Sequence, residues 1–391
     1  MEDVFVVQSL RTPFGSFGGT LSDLDAPQLG ATVLQSLLSQ SKLDPAAVDE
    51  VILGQVLLGG AGQAPARQAM RRAGIPDSTH AMTVNKVCGS GLKAVMLAAG
   101  SIALGDSQVV LAGGMESMSR TPYALARARS GYRMGHGQLI DLLYYDGLQD
   151  PDSGKLMGEI ADLAAERFEL SRETQDEYAI RSYRRAQAAA REGFLRDEIV
   201  PVGKPGKKGD EVVAEDEEPF RADFEKMKKL RPAFRPEGTI TAGNASSLAD
   251  GAALVLLASG KAVKEHNLTP RARLAAYSTH SLAPERFSEA PVGAIRSVCE
   301  RAGIRPGDVD LFEINEAFSS VVLIAMLELE LDPERVNVNG GAVSLGHPIG
   351  ASGGRLVTTL VRELDRRKVR YGLATLCIGG GEAVAALFER V

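Results

Sequence analysis

The stretch LDPAAVDEVILGQ (residues 43–55) returns late in the chain as IRPGDVDLFEINE (residues 304–316). Each copy reads apolar residue, any residue, Pro, two residues, Val-Asp, then an apolar run of strand character. Two further pairs follow in the same order. CGSGLKAV (88–95) answers to GASGGRLV (350–357) through a shared Ser-Gly that opens a helical segment, and VVLAGGMES (109–117) answers to LATLCIGGGEA (373–383) through Gly-Gly-x-Glu. Three ordered matches imply two copies of one unit, about residues 1–117 and 271–391. In both, short Val/Ile/Leu runs alternate with amphipathic stretches, the pattern of a sheet covered by helices. The fold class expected is therefore α/β, built from two duplicated halves that pack on each other.

Residues 118–245 read differently. TPYALARARSGYRMGHGQ (121–138) is loop-like, whereas residues 158–193 are strongly helical, with Ser171 a fitting N-cap and Gly193 a stop. PVGKPGKKGDEVVAEDEEPF (201–220) reads as a polar hairpin or loop. SSLADGAALVLLAS (246–259) then returns to core composition, so residues 246–270 belong with the first unit and 118–245 form an inserted, mainly helical loop domain.

With 50 acidic and 44 basic residues in 391, the net charge of −6 offers no field that recruits nucleic acid or an anionic membrane. The opening MEDVFVVQSLRTPFG carries acids where a secretion signal needs basic residues, and SSVVLIAMLELEL (319–331) meets acids too early for a membrane helix. Cys88, Cys299 and Cys377 lie too far apart for a metal knuckle and do not suggest a disulfide framework. Reduced thiols in the cytoplasm, with no metal, are the expectation.

NKVCGSGLKAV (85–95) sets Cys88 on a glycine-rich turn between a strand-like run and a helix. At a helix N-terminus, free N–H groups and the dipole favour a thiolate, and nearby N–H groups can receive an oxyanion. The alternative is a small apolar cysteine at an element boundary. Gly89-x-Gly91-x-x-Ala94 also fits a dinucleotide fingerprint with Asp106 downstream, but a thiol facing a pyrophosphate is an odd choice, and strand-like runs already precede it.

Among His80, His136, His266, His280 and His347, only His347 lies in a glycine-dense constellation, NVNGGAVSLGHPIGASGG (337–354), at the place in the second copy that Cys88 holds in the first. A pseudo-twofold would bring the two together as nucleophile and base. Gly350-Ala351-Ser352-Gly353-Gly354 imitates a nucleophile elbow, yet Pro348 and Gly350 stand where the incoming strand must run; Ser352 reads better as a small residue opening a closely packed helix. Cys377, at a strand end before Gly379, is either a resolving thiol or an acid/base, whereas Cys299 falls on the apolar face of a helix. In EINEAF (313–318), Asn315 either orients a water or ties loops together.

NKVCGSGLKA, GGMESMS, TAGNAS, NEAF, NVNGGAVSLGHPIGASG and CIGGGEA together resemble the thiolases, the acyl-CoA acetyltransferases that make or cleave 3-ketoacyl-CoA, from end to end of the chain. The resemblance implies a five-layer αβαβα fold and no cofactor beyond coenzyme A thioesters as substrates. It implies Cys88 as acyl acceptor, His347 as its base, Cys377 as the group that moves the α-proton, and Asn315 as holder of a water beside His347. The N–H groups of Cys88 and Gly379 are then the oxyanion donors. It further implies acyl-CoA contacts at Leu148, Met157, Arg221, Phe234, Ala242, Ser246, Ala317 and Phe318, aided by the basic KMKKL and KPGKK segments. The expected activity is condensation of two acetyl-CoA, with 3-ketoacyl-CoA thiolase of fatty-acid oxidation as the alternative and a non-catalytic acyl-CoA binder as a remote one. The loop RARSGYRMGHGQLIDLL (127–143) resembles the one through which short-chain members form tetramers, so a homodimer or homotetramer is expected. Two positions depart from the short-chain pattern: Leu156 where histidine is usual and Phe287 where methionine is. Both bear on acyl chain length.

Overall fold

The computed structural model describes residues 2–206 and 209–391. In chain order the main elements of the first half are β1 (Val4–Arg11), α1 (Ala26–Ser41), β2 (Glu50–Gly54), α2 (Pro65–Arg72), β3 (His80–Val84), α3 (Ser90–Leu104) and β4 (Val109–Ser117). The inserted segment carries α4 (Met157–Arg167) and α5 (Arg172–Arg191). Then come β5 (Ala249–Ser259), β6 (Ala272–Ser281), α6 (Ala290–Ala302), β7 (Leu311–Ile314), α7 (Ser319–Leu329), α8 (Ser352–Arg367), β8 (Tyr371–Ile378) and β9 (Glu382–Arg390).

The strands follow the order β3-β2-β4-β5-β1-β6-β9-β8-β7. The halves mirror each other about the β1/β6 junction, where Phe5 pairs with Arg273 and Val6 with Ala272, antiparallel. The repeat motif has a structural reason. In each copy its Pro starts a short 3₁₀ turn, Pro45–Ala47 or Pro306–Asp308, that feeds the next strand. The aspartate that follows then caps a neighbouring strand. Asp49 Oδ2 accepts the N–H groups of Gln108 and Val109 at 2.7 and 2.9 Å, and Asp310 Oδ2 accepts those of Arg370 and Tyr371 at 3.0 and 2.8 Å. The third match diverges: Glu116 continues inside β4, whereas the chain turns through Gly380 and Gly381, both at positive φ, before Glu382 opens β9.

Five layers result. Helices α1 and α2 cover the outer face of the first sheet, and α6 and α7 that of the second; α3 and α8 fill the space between. Strands with both faces buried alternate partners with period two. Along β9, Val384, Ala386 and Phe388 point to the central layer, and Ala383, Ala385 and Leu387 to α6 and α7. Each fully buried Val, Leu or Phe here contributes about 1.5–3 kcal/mol of transfer free energy. Because sheets enclose it on two sides, α3 is apolar nearly all round; the 18-residue span Val87–Leu104 has membrane-like composition for that reason.

The inserted helical run is two helices. Glu169 takes φ 51°, and the Ser171 hydroxyl then caps α5 by accepting the Thr174 N–H at 3.1 Å. Arg191 ends α5, and Gly193 follows at φ 85°, as expected. Val202–Gly206 and Gly209–Val213 form the anticipated hairpin; Lys207 and Lys208 of KPGKK lie outside the described residues.

Candidate active site

The starts of α3 and α8 meet backbone to backbone. A Cβ on Gly91 would come within 2.8 Å of the Gly350 carbonyl oxygen, and one on Gly353 within 2.1 Å of the Leu92 nitrogen. These glycines therefore serve helix contact, and the dinucleotide reading of Gly91 falls away. The same contact draws the Cys88 turn against the loop that carries His347.

Cys88 sits just ahead of α3, on a turn held by its own side chains. Asn85 Oδ1 accepts the Val87 N–H at 3.0 Å, and Ser90 Oγ accepts the Lys86 N–H at 2.8 Å while donating to the Val87 carbonyl at 2.6 Å. Val87 is forced to φ 46°, a costly conformation for a β-branched residue, immediately before the sulfur. Expectation and structure differ on charge. Apolar surroundings push the thiol up to about 11, although the N–H groups of Gly379 and of Cys88 itself oppose this, so the resting group is a thiol and not the thiolate anticipated from the helix terminus.

His347 is buried, and its backbone N–H donates to the Ser247 carbonyl at 2.9 Å. Ser352 Oγ donates to the Pro348 carbonyl at 3.1 Å and lies 2.5 Å from His347 Nδ1, so Nδ1 carries the hydrogen and Nε2 the lone pair. Asn315 Nδ2 stands 3.4 Å from that Nε2, and Asn315 Oδ1 is buried without a partner among the described residues. Burial, assisted by the positive Arg355, lowers His347 to about 3, which leaves a neutral imidazole with its base nitrogen turned toward Asn315. Sequence reading gave Ser352 a packing role only and missed this bond.

Glu316, beside Asn315, ties the loop to the inserted segment: its carboxylate accepts from Tyr178, Ser182 and Asn337 and from the Val343 N–H at 2.7, 2.7, 2.9 and 3.1 Å. Cys377, at the end of β8, is buried close enough to Cys88 for the two charges to oppose each other, and burial foremost raises it well above an ordinary thiol. Cys299 is core against α7 and its neighbours, and no histidine besides His347 reaches the site.

Cys88, His347, Cys377 and Gly379 share one cavity of about 390 Å³. Its mainly apolar walls include Leu148, Leu156, Met157, Phe234, Ala242, Ser246, Phe287, Ala317 and Phe318. Phe318 holds Phe234 and Phe287 edge to face, with centroids 6.1 and 6.3 Å away. Arg221 is elsewhere: it pairs with Glu217 and Glu218, its guanidinium donates to Ser16 Oγ at 2.9 Å, and it forms no part of the cavity wall. Nor do the lysines of KMKKL, of which Lys226 and Lys228 pair with Asp223 and Glu225. All three cysteines are free thiols.

Two duplicated halves that place a cysteine, an imidazole and a second thiol in one apolar cavity define a cysteine-dependent site shaped for a slender, largely uncharged chain. Residues 4–261 match the thiolase N-terminal domain and residues 268–390 the thiolase C-terminal domain. This chain belongs to the thiolase family. It is 50% identical over the full length of both chains to an acetyl-CoA acetyltransferase of Pseudomonas aeruginosa, 47% to one of Cupriavidus necator, and 45% to a probable acetyl-CoA acyltransferase of Staphylococcus aureus. The crystal structure of the Bacillus anthracis acetyl-CoA acetyltransferase superposes with a TM-score of 0.98 at 42% identity, covering 100% of this chain and 99% of that one.

Proposed function

We propose that the protein is an acetyl-CoA C-acetyltransferase that joins two acetyl-CoA to acetoacetyl-CoA, reversibly, through an acyl-cysteine. The convergence of Cys88, His347 and Cys377 on one cavity carries this reading. Cys88 sulfur attacks the first thioester as His347 Nε2 takes its proton, and the N–H groups of Cys88 and Gly379 receive the tetrahedral oxyanion. Cys377 gives its proton to the departing coenzyme A thiolate. A thiolate whose acid lies so far above the ordinary range is a strong base, suited to removing the α-proton of the second acetyl-CoA. Imidazolium at His347, with Asn315, stabilises the enolate. Its carbon attacks acetyl-Cys88, the sulfur departs, and His347 returns the proton, restoring two thiols and a neutral imidazole.

The walls at Leu156 and Phe287 favour weighing a second reading, a 3-ketoacyl-CoA thiolase acting on longer chains. Against it, Phe287 is packed by Phe318 and leaves little slack for a chain. We further infer a homo-oligomer in the cytoplasm, a dimer at least. Support comes from the edge strand β3 with Met82 exposed and from exposed Tyr123, Leu125, Met134 and Leu139 on the inserted loop. Incubation with acetyl-CoA followed by peptide mass analysis tests the core of the proposal: acetyl on Cys88 and release of acetoacetyl-CoA support it, and an unmodified Cys88 refutes it.

A further inference from the structure

The carboxylate of Glu116 is wholly buried in β4, yet no cation pairs with it among the described residues. It accepts three backbone N–H groups from two different loops: Val56 and Gly350 on Oε2, both at 2.9 Å, and Leu57 on Oε1 at 3.2 Å. Gly350 lies three residues beyond His347 and is clamped further by Gly114, where a Cβ would meet its carbonyl oxygen at 1.9 Å. Val56 passes the connection on: its carbonyl accepts from Asn85 Nδ2 at 3.3 Å, and Asn85 Oδ1 in turn fixes Val87, next to Cys88. Val56, Leu57 and Ile349 also form the apolar bed on which Cys88 rests.

We propose that Glu116 is a positioning residue that sets the nucleophile turn and the histidine loop in one register, acting on Cys88 through Val56 and Asn85 and on His347 through Gly350. It rests on the acetyltransferase reading of the same site. A burial cost this large is otherwise unexplained: an apolar residue would leave three buried N–H groups without an acceptor, and a glutamine would turn an NH2 donor toward at least one of them. Burial raises Glu116 itself to about 7 against the pull of its three N–H groups, so above neutrality its charge adds a small push to the desolvation that chiefly keeps the nucleophile protonated until His347 acts.

The test is Glu116→Gln beside Asn85→Ala and the double variant, each assayed for acetylation of Cys88 by acetyl-CoA and for alkylation of Cys88 against pH. Misalignment of reacting groups by fractions of an ångström lowers turnover, so Glu116→Gln should lose about tenfold or more in kcat with KM nearly unchanged. Its Cys88 alkylation profile should move to lower pH as the charge is lost. The double variant should be little worse than Glu116→Gln, because both break one relay. A folded Glu116→Gln that acetylates Cys88 at the wild-type rate overturns the proposal, as do losses in the two single variants that simply multiply. Should Glu116→Gln not fold, Asn85→Ala decides, its side chain being exposed: wild-type acetylation there overturns the relay, and a loss in kcat alone supports it. Wild-type protein that never acetylates Cys88 refutes the acetyltransferase reading instead, so the two failures are distinguishable.

Discussion

His347 Nδ1 lies 2.5 Å from Ser352 Oγ, and this one contact decides which ring nitrogen is the base. The serine hydrogen is committed to the Pro348 carbonyl, so the ring must donate, and Nε2 is left to accept a proton. Ser352→Ala removes the constraint and lets the ring populate the unproductive tautomer. Its kcat for acetyl transfer should fall about tenfold, short of the ~10²–10⁴-fold that general-base catalysis as a whole supplies, while KM holds. Steady-state kinetics check this; an unchanged kcat contradicts the tautomer assignment.

Cys377→Ala should separate the two half-reactions. A burst of acetyl transfer to Cys88 survives at a reduced rate, because the coenzyme A thiolate is a good leaving group and can take from water the proton that Cys377 gives it, whereas condensation is lost for want of a base at the α-carbon. Quenched-flow detection of acetyl-Cys88 alongside acetoacetyl-CoA release distinguishes the outcomes. Loss of both activities would show that water cannot replace Cys377 as the proton donor of the first step.

Duplication was the most legible feature because Asp49 and Asp310 do the same local work, capping the neighbouring strand in each half, and a local task leaves a local motif. The meeting of Cys88 and His347 followed, since a twofold relation between sequence copies is enough to predict that the helix starts beside them meet. Ser352 and Glu116 escaped for the opposite reason. Glu116 bonds Gly350 across 234 residues, a pairing that only the folded chain makes, and Ser352, though five residues from His347, meets its ring through a turn whose conformation the sequence does not state. Cys88 was misjudged in charge: a helix terminus is visible in sequence, whereas desolvation by walls from distant segments is not. Arg221 lies outside the cavity wall, paired on the surface with Glu217 and Glu218, and the basic look of the segment does not reveal that competition.

Cys88 and His347 should rest as a neutral pair. With the thiol pushed up to about 11 and the imidazole lowered to about 3, ultraviolet absorbance near 240 nm should show no thiolate from Cys88 at pH 7, and its alkylation rate should still be climbing above pH 9. A plateau reached near neutrality would instead reveal a preformed thiolate–imidazolium pair.

Arg355 and Glu313 form a buried pair at 2.6 Å, linking the first turn of α8 to β7, so it braces the histidine and asparagine loops from behind. Arg355→Met strands an acid already raised by burial and should cost about 3–5 kcal/mol, whereas Arg355→Met with Glu313→Leu should recover most of the loss. Urea unfolding of the three variants checks this. A double variant no more stable than the single one would mean that the ion pair is itself needed for folding.

His347 also makes stability depend on pH with a definite sign. Its pKa falls on folding from an ordinary 6.5 to about 3, so the unfolded chain binds the proton more tightly. The contribution is complete above pH 6.5 and is lost as pH falls toward 3. Between pH 7.5 and 5 the loss from this group amounts to about 2 kcal/mol, at 1.36 kcal/mol for each pH unit below 6.5. His347→Asn has no such group, and its urea midpoint should therefore fall less than that of the wild type over the same interval. The comparison of slopes isolates the imidazole from the carboxylates, which titrate in both proteins. Equal slopes would mean that folding does not lower His347, and that burial fails to keep its imidazole neutral at pH 5.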